Sequence, residues 1–137
     1  LRRQRQMCIR DSIDVAGWQE NHDWISTGTL PMRWEFIEYI FNRHWAGNKE
    51  QFRTFIISLV GNTEKDPKII VDKLKGFMFC NYDIKHEERL DAINIFKGDV
   101  PDNYFEDGTW DLNNESVPKQ VYDLILFFIS LPEFQLK

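Results

Sequence analysis

Two cysteines among 137 residues leave this chain little covalent bracing. Cys8 falls in a terminal stretch set aside below, so Cys80 stands alone and no intrachain disulfide can form, which excludes a small disulfide-stapled scaffold. No apolar run reaches the roughly 18 residues of a membrane span. The longest candidate, residues 121–131, is broken by Asp123 and Ser130. Seven glycines and five prolines are too few for a collagenous or low-complexity segment, and no internal repeat is present. No segment alternates with the period of two that marks a half-buried strand. Positive charge is short as well: 17 Lys and Arg face 22 Asp and Glu, a net charge of −5. An acidic chain repels a phosphate backbone, which argues against a nucleic-acid partner.

The N-terminal residues need separate treatment. Residues 2–11, RRQRQMCIRD, are the translation of CGT CGG CAG CGT CAG ATG TGT ATA AGA GAC. That string matches a transposase sequencing adapter read as codons, and a trailing AG opens the codon of Ser12. The competing reading is a basic arm for nucleic acid or anionic lipid, but ten consecutive matching residues favour the adapter. Residues 1–12 are therefore set aside as not native. Without Arg2, Arg3, Arg5, Arg10 and Asp11 the balance is 13 cationic against 21 anionic residues, or −8. Residues 13–137 are long enough for one domain.

Helical periodicity dominates that stretch. Thr27 or Thr29 can cap a helix with Pro31 in its first turn, and Arg33, Phe36, Ile37, Ile40, Phe41, His44 and Trp45 share one face until Gly47-Asn48. Phe52, Phe55, Ile56, Leu59 and Val60 trace a second amphipathic helix ending at Gly61-Asn62. Asp66-Pro67 opens a third, with Ile70, Leu74, Phe77 and Met78 inward. A fourth covers residues 87–96, with Arg89, Ala92, Ile93 and Phe96 aligned before Lys97-Gly98. Residues 99–116 read as a polar loop. Residues 118–131 form a helix apolar on nearly every side, hence central and buried, stopped by Pro132. The expectation is an all-α fold of about five helices in an irregular bundle.

Chemistry-bearing residues are sparse. His22 lies near Asp14, Glu20 and Asp23, but no metal-ligand spacing joins them, so a solvated loop capping the next helix explains them better than a cation site. His44 and His86 are isolated. Cys80, beside Phe77 and Phe79, suits a core better than a nucleophile. Ser26, Thr27 and Thr29 have no nucleophile elbow or evident base. Asn114-Glu115-Ser116 is a glycosylation sequon with no meaning in most bacteria. Aromatic residues make up 15% of the chain, enough to raise the question of sugar-stacking platforms. Trp34 and Trp45, on a helix, read as core filling, whereas Trp18 and Trp24, in a Gly-containing loop, stay open to either role; Trp110 is a fifth indole that could serve either way. No metal, no cofactor and no catalytic residue is assigned.

One block is more specific. Asp14-Val15-Ala16-Gly17-Trp18, then Trp24-Ile25-Ser26-Thr27-Gly28-Thr29-Leu30 and Arg33, resembles a block of the bacterial family called domain of unknown function 1800. The stretches FKGDVP (residues 96–101), YFEDGTW (104–110) and LPEFQLK (131–137) resemble the C-terminal end of members from Bacteroidetes-like bacteria. Membership would make residues 13–137 the C-terminal helical part of a longer protein. The resemblance further implies a periplasmic or extracellular location and a sulfatase-like partner encoded nearby. Two classes of function follow: an envelope or secreted protein whose helical part supports structure or binds a partner or ligand, or part of a hydrolase acting on envelope or polysaccharide substrates, its active site mostly upstream. Asp14, Trp18, Trp24 and Arg33 are the candidate binding residues, with support of the loop as their competing role.

Overall fold

The computed structural model describes residues 29–80 and 83–135, and among them every regular element is helical. In chain order these are α1 (Thr29–Trp45), α2 (Lys49–Val60), α3 (Pro67–Phe79), α4 (His86–Lys97), the short α5 (Asp102–Glu106), α6 (Val117–Ser130) and the single turn α7 (Pro132–Gln135). The fold is all-α, with five helices longer than a turn or two.

Local chemistry sets the boundaries. Asp66 accepts a hydrogen bond from the Lys68 amide at 2.9 Å, and Pro67 follows at a position where a missing N–H costs nothing. Gly61 and Gly98 close α2 and α4 with φ of 90° and 55°, a region that penalises any Cβ, and their amides return to Ile57 and Asn94. Helix α6 is the axis of the bundle, packing against α1, α2, α3, α4 and α7. Val121, Leu124, Ile125, Phe128 and Ile129 are buried along it, as the all-round apolar pattern requires. Facing them are Phe52 and Ile56 from α2, Ile70 and Leu74 from α3, and Ala92, Ile93 and Phe96 from α4.

Three expectations need correction. Residues 99–116 are not a solvated loop: α5 forms within them, and Trp110 and Leu112 are completely buried. The Trp110 ring lies 5.8 Å from Phe96 and 5.0 Å from Phe105, and its Nε1 donates to the buried Gln120 Oε1 at 3.2 Å. Arg53 holds the next turn by donating to the carbonyls of Asn113 and Asn114 at 2.9 and 3.0 Å. Second, Phe77 is 59% exposed, its ring 5.5 Å from that of Phe55. The inner stripe of α3 is Ile70, Leu74 and Met78, and Phe77 sits a third of a turn away from its centre.

Third, Cys80 is exposed, not buried. It ends α3 at φ 49°, ψ 49°, the left-handed conformation usually left to glycine, and among the described residues no other non-glycine has positive φ. A Cβ there costs about 1–2 kcal/mol, while glycine loses some of that gain through the freer unfolded chain. Cys80→Gly is therefore expected to raise stability by up to about 1 kcal/mol, seen as a higher denaturant midpoint with unchanged slope. A lower midpoint would mean that the thiol makes a contact outweighing the strain.

Helices α3 and α4 are tied by a bidentate pair: Arg89 Nε and one terminal nitrogen each donate to Asp72 at 2.7 Å. The hydrogen bonds from Arg89 lower the Asp72 carboxyl from its ordinary 3.8, against an opposing effect of burial. A lowered folded pKa gives stability that is present above the unfolded value and lost as pH falls through the folded one. The Asp72 side chain is 42% exposed, so solvent screening limits the pair to about 1 kcal/mol or less. Compared with Asp72→Asn, the wild type should hold this small advantage at neutral pH and lose it on acidification below pH 3.8. An advantage unchanged in acid would exclude the ion pair as its source.

Candidate functional site

Helix α1 carries the most unusual surface. The broad face expected from its sequence splits in two. Ile37, Phe41 and Trp45 pack on the core, while Phe36 and Ile40 turn outward at 63% and 45% exposure. Positions 37, 41 and 45 form one row of i, i+4 neighbours, and 32, 36 and 40 form another about a third to half of a turn round the helix. Met32 and Tyr39 join the outer row at 69% and 60% exposure, so α1 is apolar on two faces and buries no residue fully. Arg43 ends the outer row, its guanidinium donating to the Tyr39 hydroxyl at 3.2 Å.

Of the four candidate binding residues, Arg33 is half-buried in the second turn of α1, on the flank of this outer row. Asp14, Trp18 and Trp24 lie outside the described residues. The two helical tryptophans part company. Trp45 belongs to an aromatic cluster, 5.5 Å from Phe52 and 4.8 Å from Tyr122, whose hydroxyl donates to Asn42 of α1. Trp34 keeps 38% of its surface exposed. Trp110, wholly buried and hydrogen-bonded, cannot serve as a sugar platform.

An apolar groove of about 330 Å³ opens where α1 meets α2, between Phe41, Phe52, Phe55 and Ile125. His44 and Gln51 stand at its polar rim, with His44 Nε2 and Gln51 Oε1 3.1 Å apart. Gln51 in turn donates to Asn48, and Asn48 to the His44 carbonyl, so these polar atoms secure the α1–α2 corner and satisfy one another. A larger cavity of about 580 Å³ lies at the start of α3, lined by Lys65, Asp66, Lys97, Asp102 and Glu106 among others. Of its three lysines, Lys65 is engaged with the Gly108 carbonyl at 2.8 Å and Lys97 with Asp102 at 2.9 Å, and Asp66 caps the helix.

No acid, base and nucleophile converge among the described residues. His44 and Cys80 are exposed on separate elements, and His86 is exposed at the first position of α4. No group of three or more His, Cys, Asp and Glu side chains stands close enough there to hold a metal ion. Burial raises the Asp123 carboxyl, with Lys119 opposing and Asp99 adding to the shift, but Asp123 lines none of the cavities just described. No described helix is long and apolar enough to cross a membrane. No family model matches the chain, and no curated protein or solved structure matches it.

The outer row of α1 was present in the sequence but hidden by overlap. Seven residues, five of them apolar, spread over half of the helix circumference and read as one wide face when only their shared side is scored. The separate spacings 32, 36, 40 and 37, 41, 45 carry the distinction.

Proposed function

We propose that residues 13–137 are the C-terminal helical part of a longer bacterial envelope or secreted protein related to domain of unknown function 1800. In this reading its role is structural and binding, not catalytic, and the outer row of α1 packs against the part of that protein preceding the helix. The observation that carries the reading is the exposed stripe of Met32, Phe36, Tyr39 and Ile40. A solvent-facing helix row is ordinarily polar, and a contiguous exposed apolar stripe marks an interaction surface. The resemblance of residues 14–33 and 96–137 to that family supports the placement at the C-terminal end. Asp14, Trp18, Trp24 and Arg33 adjoin the same surface in sequence and would brace or extend it. The resemblance also supports a periplasmic or extracellular setting and a sulfatase-like partner.

Met32 supplies the test, because peroxide oxidises a methionine at a rate that follows its exposure. In residues 13–137 alone, Met32 should oxidise quickly. In the complete protein it should be protected by about tenfold or more, the scale on which burial suppresses exposure-limited chemistry. Equal rates in the two proteins would overturn the docking role of α1.

A further inference from the structure

On the side of α1 away from its outer row, a second cleft of about 300 Å³ runs between α1 and α6. Its walls are the half-exposed Trp34 indole with Ile37, Phe127 and Ile129, and its polar groups are Glu38 and Ser130. The size lies at the lower end of small-molecule sites, about 300–1,000 Å³, so one compact group fills it.

Polarity narrows the chemistry further. The Ser130 hydroxyl spends its hydrogen on the Phe127 carbonyl at 2.7 Å, leaving only oxygen lone pairs toward solvent. Glu38, an acceptor when ionised, is exposed, and no lysine or arginine lines the cleft to neutralise it. Apart from the Trp34 indole N–H, the polar groups of the lining accept and do not donate, which suits a ligand rich in donors or positive charge. A sugar, with several oxygens to satisfy, would find only that indole N–H as a donor. An organic cation finds a carboxylate, an indole face whose quadrupole attracts positive charge, and apolar walls for its carbon. The net charge of −8 carried by residues 13–137 adds long-range attraction for the same sign.

We propose that the cleft between Trp34 of α1 and Phe127 of α6, with Glu38 at its edge, binds an organic ammonium or guanidinium group. The source is either a free amine or the lysine or arginine side chain of a protein partner. The site is separate from the outer row of α1 and stands whether or not that row is a docking face.

The test uses choline and its neutral isostere 3,3-dimethylbutan-1-ol, titrated while following the Trp34 indole N–H by ¹H–¹⁵N NMR, assigned with Trp34→Phe. Choline should shift that resonance saturably with millimolar affinity, and the alcohol should bind about tenfold more weakly, the discrimination a partly desolvated cation–π and carboxylate contact supplies. Glu38→Gln, an exposed change that leaves the core untouched, should cut the preference to what the indole alone supplies. High salt should weaken choline and not the alcohol. Titration with the N-acetyl methylamides of lysine and arginine separates the sources: tighter binding than choline assigns the cleft to a partner's side chain, weaker binding to a free quaternary amine. Absence of a saturable shift with any cation, equal binding of choline and the alcohol, or a preference that Glu38→Gln leaves undiminished overturns the proposal.

Discussion

Trp110→Ala is expected to lower stability by about 3–5 kcal/mol, the range for emptying a fully buried large aromatic site. The side chain is wholly inaccessible, edge-on to Phe96 and tilted on Phe105. Its removal would leave a cavity between α4, α5 and the start of α6. The neighbours cannot easily close that space, because Phe96 is fixed in α4 and Leu112 is fully buried in its own place. It would also leave Gln120 Oε1 with only the Ser116 hydroxyl at 3.1 Å. Leu112 is the other fully buried side chain of residues 99–116, whose remaining ties are the partly buried Val100 and Phe105 and polar bonds from Arg53, Lys65 and Lys97. Denaturant midpoints should therefore fall sharply, and hydrogen exchange in residues 102–116 should rise more than in α2 and α3. The control is Tyr104→Ala, at a site 43% exposed, which should stay within about 0.5 kcal/mol of wild type. A loss below about 1 kcal/mol for Trp110→Ala would show that these residues are held by contacts other than this ring.

That a tryptophan in so polar a stretch anchors the fold was not legible in the sequence, and the reason is physical. Periodicity reports which face of a regular element is apolar. Trp110 and Leu112 lie in no regular element, flanked by Asp107, Gly108, Asp111 and Asn113, so no period selects them. Their burial depends on α4 and α6 being close enough to accept them, which is long-range information. The opposite holds for α3, where Asp66-Pro67 marks the start and the i, i+4, i+8 row of Ile70, Leu74 and Met78 marks the inner side. Likewise α6 reads as buried because almost no polar residue interrupts it. Phe77 and Cys80 show the limit of reading apolar character as burial: Phe77 lies about 200° round α3 from the buried Phe79, and Cys80 stands past the helix end in the left-handed conformation. The candidate site was half legible in the same sense. The sequence locates an apolar face on α1, but only the packing of Phe41 and Trp45 against α2 and α6 decides which part of it remains outside.

Gln120 is the other position where a single substitution should act strongly. It is the buried polar residue of α6, 5% exposed, and its amide works in both directions. Nε2 donates to the Phe96 carbonyl at 2.8 Å and to that of Lys97 at 3.3 Å, satisfying the last turn of α4, where carbonyls have no partner within the helix. Oε1 accepts from the Trp110 indole at 3.2 Å and from Ser116 at 3.1 Å. Leucine has nearly the same volume, so Gln120→Leu should keep the packing and remove only the hydrogen bonds. An interior donor or acceptor left without a partner costs about 1–3 kcal/mol. The indole N–H and the Phe96 carbonyl would both be stranded, while Ser116 can turn to solvent. The expected loss is therefore about 2–4 kcal/mol, at the lower end if water enters. A double-mutant cycle with Trp110→Phe isolates the indole bond, since phenylalanine fills much of the ring's space and has no N–H to strand. If the bond is the link described, the two losses should be non-additive, the double variant recovering about 1 kcal/mol relative to their sum. Strict additivity would mean that Gln120 stabilises the chain solely by closing the end of α4, and that Trp110 is held by its ring contacts alone.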